Sequence, residues 1–166
     1  MKDDIRSLFA QYRQKGILID TNILLLYFVG SVNRERISKF NRTQQFTPED
    51  YDILLGIINF FSKRVTTPNI LTEVSSLSNQ LGEPERSICS RLFSVNISLL
   101  DEHYISSTTT SRRTEFIRFG LTDCGILEVA QNHYLVLTDD LKLSVHLQSQ
   151  GIDVINFNNL RIYNWT

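Results

Sequence analysis

A chain of 166 residues with 42% hydrophobic side chains has enough apolar material for one compact core and too little length for a second domain of ordinary size. Its net charge of -1 and pI near 6.3 exclude a protein that holds nucleic acid through bulk charge, so any phosphate contact must come from a local patch. The two cysteines, Cys89 and Cys124, have neither CxxC spacing nor flanking histidines, which excludes a zinc framework and reads as free thiols in a reducing compartment.

The N-terminus mixes both charges and is too polar for a signal peptide, and no apolar run approaches the ~20 residues of a membrane span, so a cytoplasmic protein is expected. Ile5, Leu8, Phe9 and Tyr12 have helical spacing, and Gly16 then separates them from Ile17, Leu18 and Ile19, a buried strand. Asp20 stands at the end of that strand. Ile23 to Phe28 predict a helix closed by Gly30.

Residues 31–64 read as a helical insert, with a helix start at Thr47 to Asp50 and a buried face of Ile53, Leu54, Ile57, Ile58 and Phe61. Val65 to Leu71, interrupted by Pro68, predicts at best an edge-like strand, and Glu73 opens the helix after it. Glu83 to Leu92 predicts a helix, Val95 to Leu100 a strand and Ser106 to Ser111 a loop. Thr122 is a candidate N-cap that would put Asp123 in a first turn, and Tyr134 to Leu137 is a buried strand running into Thr138, Asp139 and Asp140.

Leu141, Leu143, Val145 and Leu147 alternate with polar residues, a period that favours a strand. A helix is nevertheless expected. If Tyr134–Leu137 and Asp153–Phe157 are parallel neighbours, their connection must cross the sheet, and Gly151 is placed to end a crossover helix.

Strand ends that lead into helices lie along one rim of a parallel α/β sheet, where such folds bind ligands. Asp20, Glu73 and Asp140 meet that description, and Asp123 joins them if its helix points its N-terminus at the same rim. Four carboxylates in one pocket repel one another unless protons or cations neutralise them, and hard oxygen donors favour Mg2+ or Mn2+.

In chain order, ILIDTNILL, TPNILTEVSSL, GLTDCGILEVA and YLVLTDDLKL resemble the four motifs of PIN-domain nucleases, across residues 16–157. The resemblance implies a three-layer α/β/α PIN-like fold around a mostly parallel sheet, with an insert longer than the smallest such domains carry. It also implies a metal-dependent endoribonuclease that cuts single-stranded RNA and leaves a 5′-phosphate and a 3′-hydroxyl. Carried over by residue, Asp20 and Asp123 would bind the main cation directly, Glu73 directly or through water, and Asp140 would support a second cation or an ordered water. Asn22 and Thr138 match supporting polar positions. The fourth motif usually reads Thr, any residue, Asp, which leaves Asp139 in the variable place, although Asp139 and Asp140 exchange freely in this alignment. Family analogy adds a toxin or defence-effector role, a cognate inhibitor protein and a homodimer.

Arg36, Lys39 and Arg42 recur every third residue, and Arg112, Arg113 and Arg118 flank the Ser/Thr stretch near Asp123. Both groups are candidates for a substrate backbone, against the plainer reading of solvated faces. Each acid taken singly also reads as a helix cap or a complement to a helix dipole. Two other functions compete: a non-catalytic PIN-like module that binds RNA or protein, and a phosphoacceptor using Asp20 as nucleophile. No Asp-x-Asp at the first strand supports the latter. The tail from Arg161, with Tyr163 and Trp165, is read as docking on the domain or contacting a partner.

Overall fold

Ile17, Leu18 and Ile19 form β1 (Ile17–Ile19), and none is more than 1% exposed. Such a run, apolar on both faces, requires cover on both sides of the sheet. In the computed structural model, which describes residues 2–162, β1 is the central strand of five. Tyr163 and Trp165 of the tail lie outside the described residues. β2 (Arg64–Thr66) and β3 (Asp101–Glu102) follow on one side, and β4 (Leu135–Thr138) and β5 (Val154–Asn156) on the other, giving the order β3-β2-β1-β4-β5. All pairings are parallel, with Leu18 opposite Val65, Ile19 opposite Leu137 and Thr138 opposite Asn156.

Parallel neighbours cannot be joined by hairpins, so helices make every connection. α1 (Lys2–Tyr12) precedes β1; α2 (Thr21–Val32) and α3 (Pro48–Phe60) lead to β2; α4 (Pro68–Ser78) and α5 (Glu85–Ile97) lead to β3. α6 (Ser107–Ser111) and α7 (Phe116–Ala130) return the chain to β4, α8 (Leu141–Ser149) connects to β5, and α9 (Phe157–Ile162) follows. The result is the three-layer α/β/α architecture expected from the sequence. The chain moves outward from β1 to β3 and then resumes at β4 on the other side, so the strand order reverses between β1 and β4, the point at which open parallel sheets form a crevice beyond the carboxyl ends of their strands. No helix among the described residues is long and apolar enough to cross a membrane.

The crossover expected at residues 141–150 is the helix α8, despite its period of two. Leu143 and Leu147 are fully buried, whereas Leu141 and Val145 are 68% and 54% exposed. The alternation is two i, i+4 pairs on opposite faces of one helix, one facing the core and one facing solvent. Within the insert, a 3-10 helix at Arg34–Lys39 precedes α3, and Thr47 and Asp50 close a capping box at the start of α3.

Several expectations are corrected. β2 is an interior strand, because it ends at Thr66, and Pro68 occupies the first turn of α4, where a missing N–H costs nothing. Residues 95–97 belong to α5 rather than to a strand; Cys89 is buried, Phe93 packs its ring 5.0 Å from that of Phe28 on α2, and the alternating Val95 and Leu99 point to solvent. Ser106–Ser111 is a capped helical turn instead of a loop, with Ser106 Oγ accepting from Thr109 N–H at 3.2 Å. Gly30 does not close α2. It lies inside that helix, where a Cβ would come within 2.7 Å of Tyr51 Cγ and Cε2.

Candidate active site

Asp20 leaves β1 at the crevice and caps α2. Its Oδ1 accepts from Thr21 N–H at 2.6 Å and its Oδ2 from Thr138 Oγ1 at 2.5 Å, so a hydroxyl from β4 ties the carboxylate across the switch point. Its own N–H donates to Leu137 O at 3.0 Å, and it is 7% exposed. Glu73 reaches in from the second turn of α4. Thr21 Oγ1 donates to its Oε2 at 2.9 Å and Thr122 Oγ1 to its Oε1 at 2.5 Å, so this one carboxylate joins α2 to α7.

Asp123 depends on a break in its helix. Gly120 has φ 78° and ψ -171°, values outside the helical region, and the chain resumes helical geometry just before Asp123. Thr122, expected as an N-cap, instead spends its hydroxyl on Glu73. Asp140 caps α8, where its Oδ1 accepts from the N–H groups of Lys142 at 2.7 Å and Leu143 at 3.1 Å. Its own N–H donates to Thr138 Oγ1 at 3.0 Å, so that single hydroxyl contacts both Asp20 and the segment bearing Asp140. Asp139, whose charge also acts on Asp20, accepts from Asn22 Nδ2 at 3.2 and 3.3 Å.

These groups form one electrostatic unit. Burial pushes Asp20 up to about 6; hydrogen bonds from Thr138 and Thr21 pull it down, and the negative charges of Asp139 and Asp140 push it up again. Asp123 is pushed up to about 7, first by burial and then by Asp20, Asp140 and Glu73. Asp139 is also raised, chiefly by burial, with Asn22 opposing, Asp140 reinforcing and Arg161 opposing. The charges acting on Asp123 are all negative.

Among the described residues, no three acidic, histidine or cysteine side chains stand close enough to close a metal cage as they lie. The donor set nonetheless suits a hard divalent cation, since it consists of carboxylate oxygens that hold one another toward the neutral form. The histidines lie apart: His103 packs on Tyr134, His146 on Phe119, and His133 is on the surface. Both cysteines are free and buried.

The expected basic residues divide. Arg113 is committed to Glu128 at 2.6 Å and Glu115 at 3.3 Å, Arg42 donates to Gln80 at 2.9 Å, and Arg36 is half-buried with its Nε enclosed. Arg118 lies over the Phe119 ring, while Arg112 and Lys39 are exposed. Sequence reasoning missed Thr21 and the second use of Thr122. Each adjoins a predicted acid, and that adjacency was the available signal. It also missed Asn158, whose Nδ2 donates to Asp139 O at 3.2 Å, and no pattern in the sequence pointed there. No protein-family model and no curated protein matches this chain.

Proposed function

We propose that the chain is a cytoplasmic, PIN-like endonuclease that depends on Mg2+ or Mn2+ and hydrolyses phosphodiester bonds, with single-stranded RNA as the favoured substrate. The observation that carries this reading is the convergence of Asp20, Glu73, Asp123 and Asp140, from four separate segments, on the crevice between β1 and β4, where Asp20 and Asp123 are driven toward neutrality. In this reading Asp20, Asp123 and Glu73 hold the principal cation, and Asp140 supports a second cation or an ordered water. A bound Mg2+ or Mn2+ supplies Lewis acidity toward a phosphodiester and makes water a better nucleophile at neutral pH.

The chain's own residues orient the acids. Thr138 and the Thr21 N–H fix both oxygens of Asp20, so that carboxylate has one rotamer. Thr21 and Thr122 fix Glu73 in the same way. Exposed Arg112, on the connection between α6 and α7, is available to a substrate phosphate.

The test is cleavage of matched single-stranded RNA and DNA oligonucleotides in Mn2+, Mg2+ or EDTA. We expect metal-dependent cleavage of RNA that falls by at least about 100-fold in Asp20→Asn and in Asp123→Asn. Cleavage that persists in EDTA overturns the mechanism. One observation favours the rival, a non-catalytic PIN-like module: both oxygens of Glu73 are already satisfied by hydroxyls. Titration calorimetry separates the two readings, because the rival predicts no heat with Mn2+ and no change in melting temperature.

A further inference from the structure

We propose that Arg161 and Asn158 are positioning residues for the Thr138–Asp140 segment and tie the helical insert to the acidic cluster; this rests on the metal-dependent reading above. Arg161 of α9 is a hub. Its Nε forms an ion pair at 2.9 Å with Asp50 Oδ2, a buried carboxylate that also accepts from Thr47 N–H in the capping box of α3. One terminal nitrogen donates to Gln45 O at 2.7 Å, and the guanidinium lies over Phe46, 5.3 Å from the ring centroid. Phe46 in turn meets Phe157 edge-on, and both rings are fully buried, so the insert and α9 share an apolar anchor.

The remaining terminal nitrogen of Arg161 donates to Asn158 Oδ1 at 3.0 Å. That contact decides which way the amide points. A guanidinium can only donate, so Oδ1 must face it and Nδ2 must face away, toward Asp139 O at 3.2 Å. The backbone N–H of Asn158 is separately fixed by Asn156 Oδ1 at 3.0 Å, and Asn156 pairs with Thr138 across β5 and β4. The peptide between Asp139 and Asp140 is therefore held from α9, while the Asp139 carboxylate is held from α2 by Asn22. Asp140 follows that peptide directly, so its approach to the cluster depends on a contact relayed from the insert.

Metal sites lose affinity when groups that orient their ligands are removed. The experiment measures Mn2+ affinity by calorimetry, melting temperature, and kcat and KM on an RNA oligonucleotide, for wild type, Asn158→Ala, Asn158→Asp and Arg161→Lys, with Asn159→Ala as the exposed control on the same helix. Arg161→Lys keeps the charge opposite Asp50 but lacks the fork that also reaches Asn158. Asn158→Asp sets an acceptor against the Asp139 carbonyl.

We expect Mn2+ affinity to weaken about tenfold in Asn158→Ala and further in Asn158→Asp, with kcat falling, KM steady and little change in melting temperature without metal. Arg161→Lys should follow Asn158→Ala in Mn2+ affinity and kcat, with a lower melting temperature from its lost contacts to Gln45 and Phe46, and Asn159→Ala should match wild type. Unchanged Mn2+ affinity in the Asn158 and Arg161 variants, with binding intact in wild type, overturns the positioning role alone. No Mn2+ binding by wild type overturns the metal-dependent reading and this role with it.

Discussion

Asp20 and Asp123 invert the usual relation between a carboxylate and stability. Their folded values, about 6 and about 7, lie above the ordinary 3.8, so the folded chain binds more protons than the unfolded chain between those limits. Their contribution is complete below the ordinary value and is lost as pH rises through 6 and 7. Glu115 has the opposite sign: its own backbone N–H, with Arg113 and His146, draws it down to about 2, so the stability it provides is lost only as pH falls below the ordinary value of 4.5. A comparison between about pH 5 and about pH 8 thus spans the loss from the two acids raised furthest, with Asp139 raised alongside them. In EDTA we expect the protein to melt at a higher temperature at the lower pH, with a difference on the order of 3 kcal/mol, discounted because Asp123 is partly exposed. Asp123→Asn should remove most of that slope and stabilise the metal-free protein at the higher pH. A flat profile in wild type would show that the acids do not share a desolvated site.

The break at Gly120 shows how one residue places an element and how an element places a site. A Cβ there would meet nothing within 4 Å, so any cost of Gly120→Ala comes from the backbone, which combines positive φ with extended ψ. We expect a loss of about 1–3 kcal/mol in urea unfolding, together with weaker metal binding as Asp123 turns away. Gly30→Ala tests the contrary case, in which φ is ordinary and space is absent. The gain in helix propensity, about 1 kcal/mol, is smaller than the roughly 1–3 kcal/mol of forcing Tyr51 out of place, so net destabilisation is expected. Legibility in the sequence followed the same division. β1, β4, the cap at Thr47 and the segments carrying Asp20 and Asp140 could be read locally, because burial on both faces and capping chemistry leave marks a few residues long; α4 instead begins at Pro68, inside the expected strand, and the turn before Asp123 is set by Gly120 rather than by a Thr122 cap. The helical nature of α8 was recoverable only from the topological need for a crossover. Val95 to Leu100 misled because apolar residues facing solvent imitate a strand's alternation. The contacts from Asn158 and Arg161 link residues far apart in sequence, and nothing local to either reports them.

For the whole molecule, the parallel sheet concentrates at one rim acids that lie as far apart in sequence as Asp20 and Asp140, and the folded state alone holds them together. Unfolding separates them, so a cation that needs the set binds only the native chain and stabilises it by mass action. That stabilisation must compete with the protons already held by Asp20 and Asp123, which a cation displaces. Manganese should therefore raise the melting temperature more at about pH 8 than at about pH 5, opposite in sign to the metal-free slope. At about a hundredfold excess over Kd the gain is about 2.7 kcal/mol, which for a domain of this size corresponds to roughly 5–10 °C. Differential scanning calorimetry of wild type and Asp20→Asn, with and without Mn2+ at both pH values, measures each quantity in one series. A shift of equal size at both pH values, or one that survives in Asp20→Asn, would mean that manganese binds elsewhere on the surface and that the rim acids serve as helix caps.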